Sequence, residues 1–267
     1  MMTALASRPL RLAGALLAAG LLAACNGEAG KSKSDFKPVP VTPVIGDVPQ
    51  GAENAPVTLI EYAALTCHVC RDFAKQVYPR LKTEYIDTGK VRYIYRDYPL
   101  EGDPATGKAV DGFGVLLASV ARCKGAATYH EMIDGIFGVQ ADLLDSARTG
   151  SALPVLAKVA QAHGISIDEM QTCIDHQPEL NQSIKESRKS GSDKGVTGTP
   201  GIFITSDLEI SPDEHLKGVI PNWENISAAI EAKLAGQPVP GANGVPPVTA
   251  TTPATPAPAA PATPPAQ

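Results

Sequence analysis

Val57-Thr-Leu-Ile-Glu-Tyr-Ala-Ala-Leu-Thr-Cys-His-Val-Cys70 is the stretch on which the fold turns. Val57–Tyr62 is a mostly apolar run of strand-forming residues, the pattern of a buried strand. A short turn follows, and Cys67-His68-Val69-Cys70 opens a helix expected to run from near Cys67 to about Ile86. A cysteine at a helix start meets unpaired N–H groups and partial positive charge, which favour thiolate over thiol. The thiolate both attacks and leaves in disulfide exchange. Three residues on, Cys70 lies one helical turn along on the same side, close enough to bridge to Cys67. This context points to redox chemistry.

Other readings of the pair stand beside that one. As a permanent disulfide it would be a weak staple, ~2 kcal/mol for so short a loop. Zinc usually needs a second clustered pair, and Cys123 and Cys173 are fifty residues apart. Copper(I) suits soft thiolates and is harder to set aside. His130, His163, His176 and His215 show no metal spacing with one another.

Outward from the pair, Val91–Tyr95 is a second β-rich run, bounded by Gly89 and Pro99. From about 104 to 192 the period becomes helical. Val110, Phe113, Leu117 and Val120 form one apolar face, and Met132, Ile133, Ile136 and Phe137 another. Ser166-Ile-Asp-Glu169 reads as a capping box opening a helix through Met170 and Cys173. Strand character returns at Ile202–Thr205 and at Leu216–Ile220, and a last helix spans about Trp223–Leu234. The outline is an α/β unit interrupted by a block of helices.

The ends differ from this middle. Met1–Ala24 carries Arg8 and Arg11 and then a short apolar run, the pattern of a signal peptide. Leu22-Ala-Ala-Cys25 resembles the lipobox of bacterial lipoproteins. That resemblance implies cleavage before Cys25 and diacylation of its sulfur; an ordinary signal peptide cut near an incidental cysteine is the other reading. Two acyl chains give stable anchoring. Residues 25–52 read as a polar tether. Residues 237–267 hold ten of the 24 prolines and no charged side chain, and read as a disordered tail. One packed domain is then expected over 53–236. The net charge of −5 argues against a nucleic-acid partner.

Glu61–Cys70 resembles the strand and active-site segment of the DsbA family, and Val196-Thr-Gly-Thr-Pro-Gly-Ile-Phe-Ile204 resembles its later Gly-Thr-Pro strand entrance. The resemblance runs from about Gly46 to Ala235 and implies a thioredoxin-like fold with an inserted helical subdomain. It implies that Cys67 is the nucleophile and Cys70 the buried resolving partner. Thr199 and Pro200 would form a cis peptide beside them, where an extended substrate pairs. Glu61, otherwise read as a solvated strand-face residue, would be a buried carboxylate below Cys70 with a raised pKa. The chain departs from the family between the cysteines, where His68-Val69 stands in place of Pro-His. Val69 lacks the side-chain donor of that histidine, and His68 would act electrostatically from the other position.

Cys123 and Cys173 each lie on an apolar stripe and are expected to face the helical interior, as free thiols or as a bridge. Export favours a bridge, which would be worth ~4 kcal/mol. The resemblance implies one too, since some DsbA-like proteins carry a second disulfide here. The expected protein is a monomeric, lipid-anchored thiol–disulfide oxidoreductase in the periplasm or extracytoplasmic space. It would pass the Cys67–Cys70 disulfide to unfolded exported proteins, be reoxidised by a membrane redox partner, and need no organic cofactor or metal. A reductase or isomerase is one alternative, although residues 26–52 are too short for a dimerisation domain. A copper-binding lipoprotein is the other.

Overall fold

A computed structural model of the chain describes residues 36–100, 111–242 and 244–246. Met1–Lys37 and Pro38–Gln267 form separate units, and the described strands and helices all lie in the second. The signal peptide, Cys25 and most of the expected tail lie outside the described residues.

Strand β1 (Val57–Ala63) is buried along its whole length and lies at the centre of a three-stranded sheet of order β2-β1-β3. Strand β2 (Val91–Asp97) pairs parallel to it, with Val57 opposite Val91. Strand β3 (Gly201–Thr205) pairs antiparallel, with Glu61 opposite Ile202. Because successive side chains alternate faces, Leu59, Glu61 and Ala63 share one side and Ile60 and Tyr62 the other. Leu59 and Ala63 join the main core with α1 and the inserted helices, whereas Ile60 and Tyr62 pack in a smaller cluster with Ile94, Tyr98 and Phe203.

Helix α1 (His68–Gln76) starts with Cys67 as its N-cap and buries Cys70 and Phe73 against the Glu61 side of the sheet. The single helix expected to Ile86 is broken at Val77. Pro79, early in α2 (Tyr78–Leu81), has no N–H to continue the ladder, and α2 passes into a π-helical turn at Lys82–Ile86.

The insertion comprises α3 (Asp111–Arg122), α4 (Ala126–Gly138), α5 (Gln140–Arg148), α6 (Ala152–Ala162), α7 (Ile167–Asp175) and α8 (Pro178–Asp193). Ser166 and Glu169 form a full capping box at the start of α7. Gly191 brings α8 onto the sheet: a Cβ there would stand 2.8 Å from the Tyr62 ring and 2.9 Å from the Tyr98 ring. The insertion is tied to β2 by a buried ion pair, Arg122 Nε to Asp97 Oδ2 at 2.6 Å, with the Tyr129 hydroxyl accepting from the same guanidinium at 2.9 Å. Helix α9 (Trp223–Leu234) closes the chain against β1 and β3, with Asn222 as its N-cap.

Three expectations about the organisation change. Leu216–Ile220 is no strand. Only His215 bridges to Phe203, and the chain then turns through Gly218 at φ +69. Leu216 is buried as a loop residue, which is why its apolar signal resembled a strand. The second half of the expected tether is packed from Val39 onward. Val39 N donates to the Thr172 hydroxyl at 3.1 Å and Val44 N to the Arg122 carbonyl at 3.0 Å. Val48 is buried, and Gln50 bridges to Tyr93. Proline keeps this strap extended while the valines between the prolines supply its contacts, which composition averages away. The start of the expected tail also packs: Ala242 is buried, and the Gly241 carbonyl accepts from Lys217 N at 3.2 Å.

Candidate active site

Cys67 sits where β1 ends and α1 begins, because the turn from Ala64 closes with its N–H on the Ala64 carbonyl at 3.0 Å. Its extended backbone (φ −87, ψ 124) makes it the helix N-cap, a position normally filled by an oxygen-bearing side chain. The sulfur stands in for that oxygen. As a thiol it makes no cap hydrogen bond to the helix and instead donates to the Thr199 carbonyl at 3.4 Å. As a thiolate it gains the Cys70 thiol, the Thr199 side chain and the N–H groups of Cys70 and Val69. These together outweigh desolvation and bring its pKa down to about 5. Among the described residues the buried Thr199 hydroxyl has no other partner, so its proton is free for the thiolate.

Cys70 is fully buried one turn on, and both cysteines are reduced. Burial, followed by its hydrogen bond to Cys67 and the charges of Cys67 and Glu61, pushes its thiol well up. The two sulfurs are therefore driven in opposite directions.

Glu61 lies beneath them, 2% exposed, accepting from the Tyr93 hydroxyl at 2.6 Å. Burial raises its pKa to about 8, against the lowering effect of Tyr93. Asp97 on the neighbouring strand has the opposite surroundings: that carboxylate holds Arg122, whereas no cation approaches Glu61 among the described residues. Beside Glu61 is a cavity of about 10 Å³, room for one water, lined also by Tyr95, His130 and Asp134. The Tyr95 hydroxyl is buried and has no partner among the described residues, which suits it to such a water.

The Thr199–Pro200 peptide is cis and stands opposite the cysteine pair. Next to Val69 a groove of 410 Å³ runs between Phe73 and Val77 on one side and Ile220, Pro221 and Trp223 on the other, with Ile220 70% exposed. Cys123 and Cys173 are bonded to each other (S–S 1.99 Å, Cα–Cα 5.7 Å), joining the end of α3 to α7 away from this site.

His68 is exposed at the first helical position and is not among the groups with the largest effect on Cys67, whereas Val69 contributes through its backbone N–H. Two further residues carry no sequence signal. Tyr93 is one of two tyrosines on β2. Gln140 is a lone glutamine at the start of α5, yet its Nε2 donates to the Leu65 and Cys67 carbonyls at 2.7 and 2.9 Å. Among the described residues no three His, Cys, Asp or Glu side chains gather as a metal site.

A thioredoxin core whose first helix opens on Cys-x-x-Cys opposite a cis-proline, with helices inserted before its last strand, defines the DsbA-like class of thioredoxin-fold thiol–disulfide oxidoreductases. Residues 44–222 match the thioredoxin family model Thioredoxin_4, and the chain belongs to that family. The crystal structure of α-DsbA1 from Wolbachia pipientis superposes with a TM-score of 0.61 at 26% identity, covering 73% of this chain and 94% of that one. Two proteins provisionally named protein-disulfide oxidoreductases, from Rickettsia conorii and Rickettsia prowazekii, are each 27% identical to it, over 158 and 206 residues. Those matches take in 59% and 76% of this chain but only 53% and 68% of the relatives' own lengths.

Proposed function

We propose that the chain is an extracytoplasmic thiol–disulfide oxidoreductase that passes a Cys67–Cys70 disulfide to exported proteins. The observation that carries this reading is the arrangement of Cys67 at the start of α1, against the Thr199 carbonyl and above buried Cys70. In the disulfide form, a substrate thiolate attacks the Cys67 sulfur. The Cys67–Cys70 bond breaks, and its electron pair leaves on the Cys70 sulfur. That sulfur is a poor leaving group as an anion, and Glu61, which holds a proton up to about pH 8, supplies one. A second substrate thiolate then attacks the substrate sulfur of the mixed disulfide. The substrate bridge forms and Cys67 departs as a thiolate, which its low pKa favours.

The direction is that of an oxidase. Stabilising the Cys67 thiolate stabilises the reduced form, and an easily reduced disulfide is an oxidant. Thr199 and the helix N–H groups take over the work of the absent histidine. An extended, apolar substrate segment fits the groove beside Val69 and Ile220. Lipid attachment at Cys25 and reoxidation by a membrane redox partner complete the reading.

The test is equilibrium with glutathione buffers, together with oxidation of a reduced, unfolded protein by the disulfide form. A potential near about −120 mV with rapid transfer supports the oxidase; one near about −270 mV assigns a reductase instead. Stoichiometric, tight Cu(I) binding without exchange activity would assign a copper carrier and end the enzyme reading.

A further inference from the structure

Gln140 begins α5 in the helical insertion and is 1% exposed, yet its amide reaches the reactive turn. Its Nε2 donates to the Leu65 carbonyl at 2.7 Å and to the Cys67 carbonyl at 2.9 Å. Those carbonyls lie within and at the end of the turn that Cys67 N–H closes on Ala64. The Cys67 carbonyl also receives Arg71 N–H at 3.1 Å, the first hydrogen bond of α1. One side chain thus holds the turn and the start of the helix in register. Its Oε1, by contrast, is buried without a hydrogen-bond partner among the described residues. A buried unpaired acceptor is unfavourable, so what the glutamine contributes is its two donors.

We propose that Gln140 is a positioning residue for the Cys67 thiolate. By fixing the Leu65 and Cys67 carbonyls it holds Cys67 in the extended conformation that aims its sulfur at the Val69 and Cys70 N–H groups. Helix-terminal stabilisation falls off within the first turn, so a small rotation of the Cys67 backbone weakens it. The donated protons also draw charge from a carbonyl that would otherwise oppose the anion beside it. The insertion then tunes the reactive sulfur as well as covering it.

The proposal rests on Cys67 being the reactive thiol, but its test needs no protein substrate. In the reduced full-length chain, the 240 nm thiolate absorbance is titrated for wild type and Gln140→Met, which keeps the volume and removes the donors. The Cys67 midpoint is expected to rise by about one pH unit, equivalent to about tenfold in thiolate stability. The glutathione equilibrium is expected to shift by the same factor toward the enzyme disulfide. Gln140→Glu, which places a carboxylate against the two carbonyls, should shift both quantities in the same sense. A variant that melts lower with midpoint and equilibrium unchanged makes Gln140 merely structural and overturns the proposal. Should Gln140→Met not fold, Gln140→Asn withdraws the amide by one methylene: a raised midpoint supports positioning, and an unchanged one overturns it. If the wild-type disulfide fails to oxidise proteins, the proposed function falls while this comparison of midpoints still stands.

Discussion

Cys67–Cys70 and Cys123–Cys173 are both sulfur pairs, and burial does not tell them apart: the four residues are 7%, 0%, 2% and 0% exposed. Their surroundings do. The first pair sits at a helix start, with hydrogen-bond donors around one sulfur and a neutral carboxyl beneath the other. The second joins two helices across a buried, largely apolar part of the insertion. Loop length separates them as well. In the chain-entropy picture a bridge between neighbours three apart gives ~2 kcal/mol, and one across fifty residues gives ~4 kcal/mol. A bridge that contributes little to the fold, flanked by groups that separate the pKa values of its sulfurs, can be made and broken in turnover. A bridge across a long loop, away from such groups, is a staple.

The sharpest way to break this contrast is to exchange the roles. Cys67→Ala should lower exchange with a reduced protein by roughly 10³-fold or more, as removal of a nucleophile does. The double variant Cys123→Ala/Cys173→Ala should keep its rate near that of wild type. The reverse pattern in a stopped-flow assay would reassign the site.

The next effect is on stability. The same double variant should lose about 4 kcal/mol in urea unfolding. A loss below about 1 kcal/mol would show that the long bridge constrains the unfolded chain far less than its loop length implies.

Glu61→Gln probes the acid beneath the first pair. It should slow release of Cys70 from the disulfide at pH 7 by roughly 10²-fold, the scale of a lost general acid. Mixed-disulfide formation without slowing would remove Glu61 from the proton path. The pH dependence of folding carries a second signature. Glu61 is raised from 4.5 to about 8, so the wild-type fold is favoured below pH 4.5 and loses that advantage as pH rises toward 8. Cys67 acts oppositely in the dithiol. Lowered from 9.0 to about 5, it stabilises the fold most above pH 9, and that contribution disappears as pH falls toward 5. Glu61→Gln should abolish the first trend and keep the second, read from melting curves between pH 4 and 9.

The smallest effect compares the two helix starts. Ser166→Ala removes the oxygen cap of α7, the helix that carries Cys173, and should cost about 1 kcal/mol. The thiolate titration of Cys67 should not move. A shift there would mean that the staple and the reactive pair are energetically coupled.

Much of the architecture is legible locally. Val57–Tyr62 reads as a buried strand because its apolar run is continuous, and β1 extends it by one residue. The Ser166–Glu169 box and the Trp223–Leu234 helix are readable because caps and periodicity act within a turn or two. Leu216–Ile220 misleads for the complementary reason: Leu216 is buried as a loop residue while Ile220 stays exposed, and Gly218 turns the chain before a ladder can form. The strap at Pro38–Gln50 is misjudged because Val39, Val44 and Gln50 find their partners on Thr172, Arg122 and Tyr93, far along the chain. In the site, the cysteines, Glu61 and Pro200 are visible as a pattern, whereas Gln140 has no local mark at all.

The sequence by itself marked the three strands, the helical block between the second and third and the last helix, and put two cysteines a turn apart at a helix start, since these follow from short-range periodicity and spacing. Only the tertiary structure decided which groups surround the Cys67 sulfur, that Glu61 is buried without a cation while Asp97 is paired with Arg122, and that a glutamine of the insertion reaches the turn before Cys67. Those outcomes depend on desolvation and on hydrogen-bond partners drawn from distant segments, which exist only once the chain has folded.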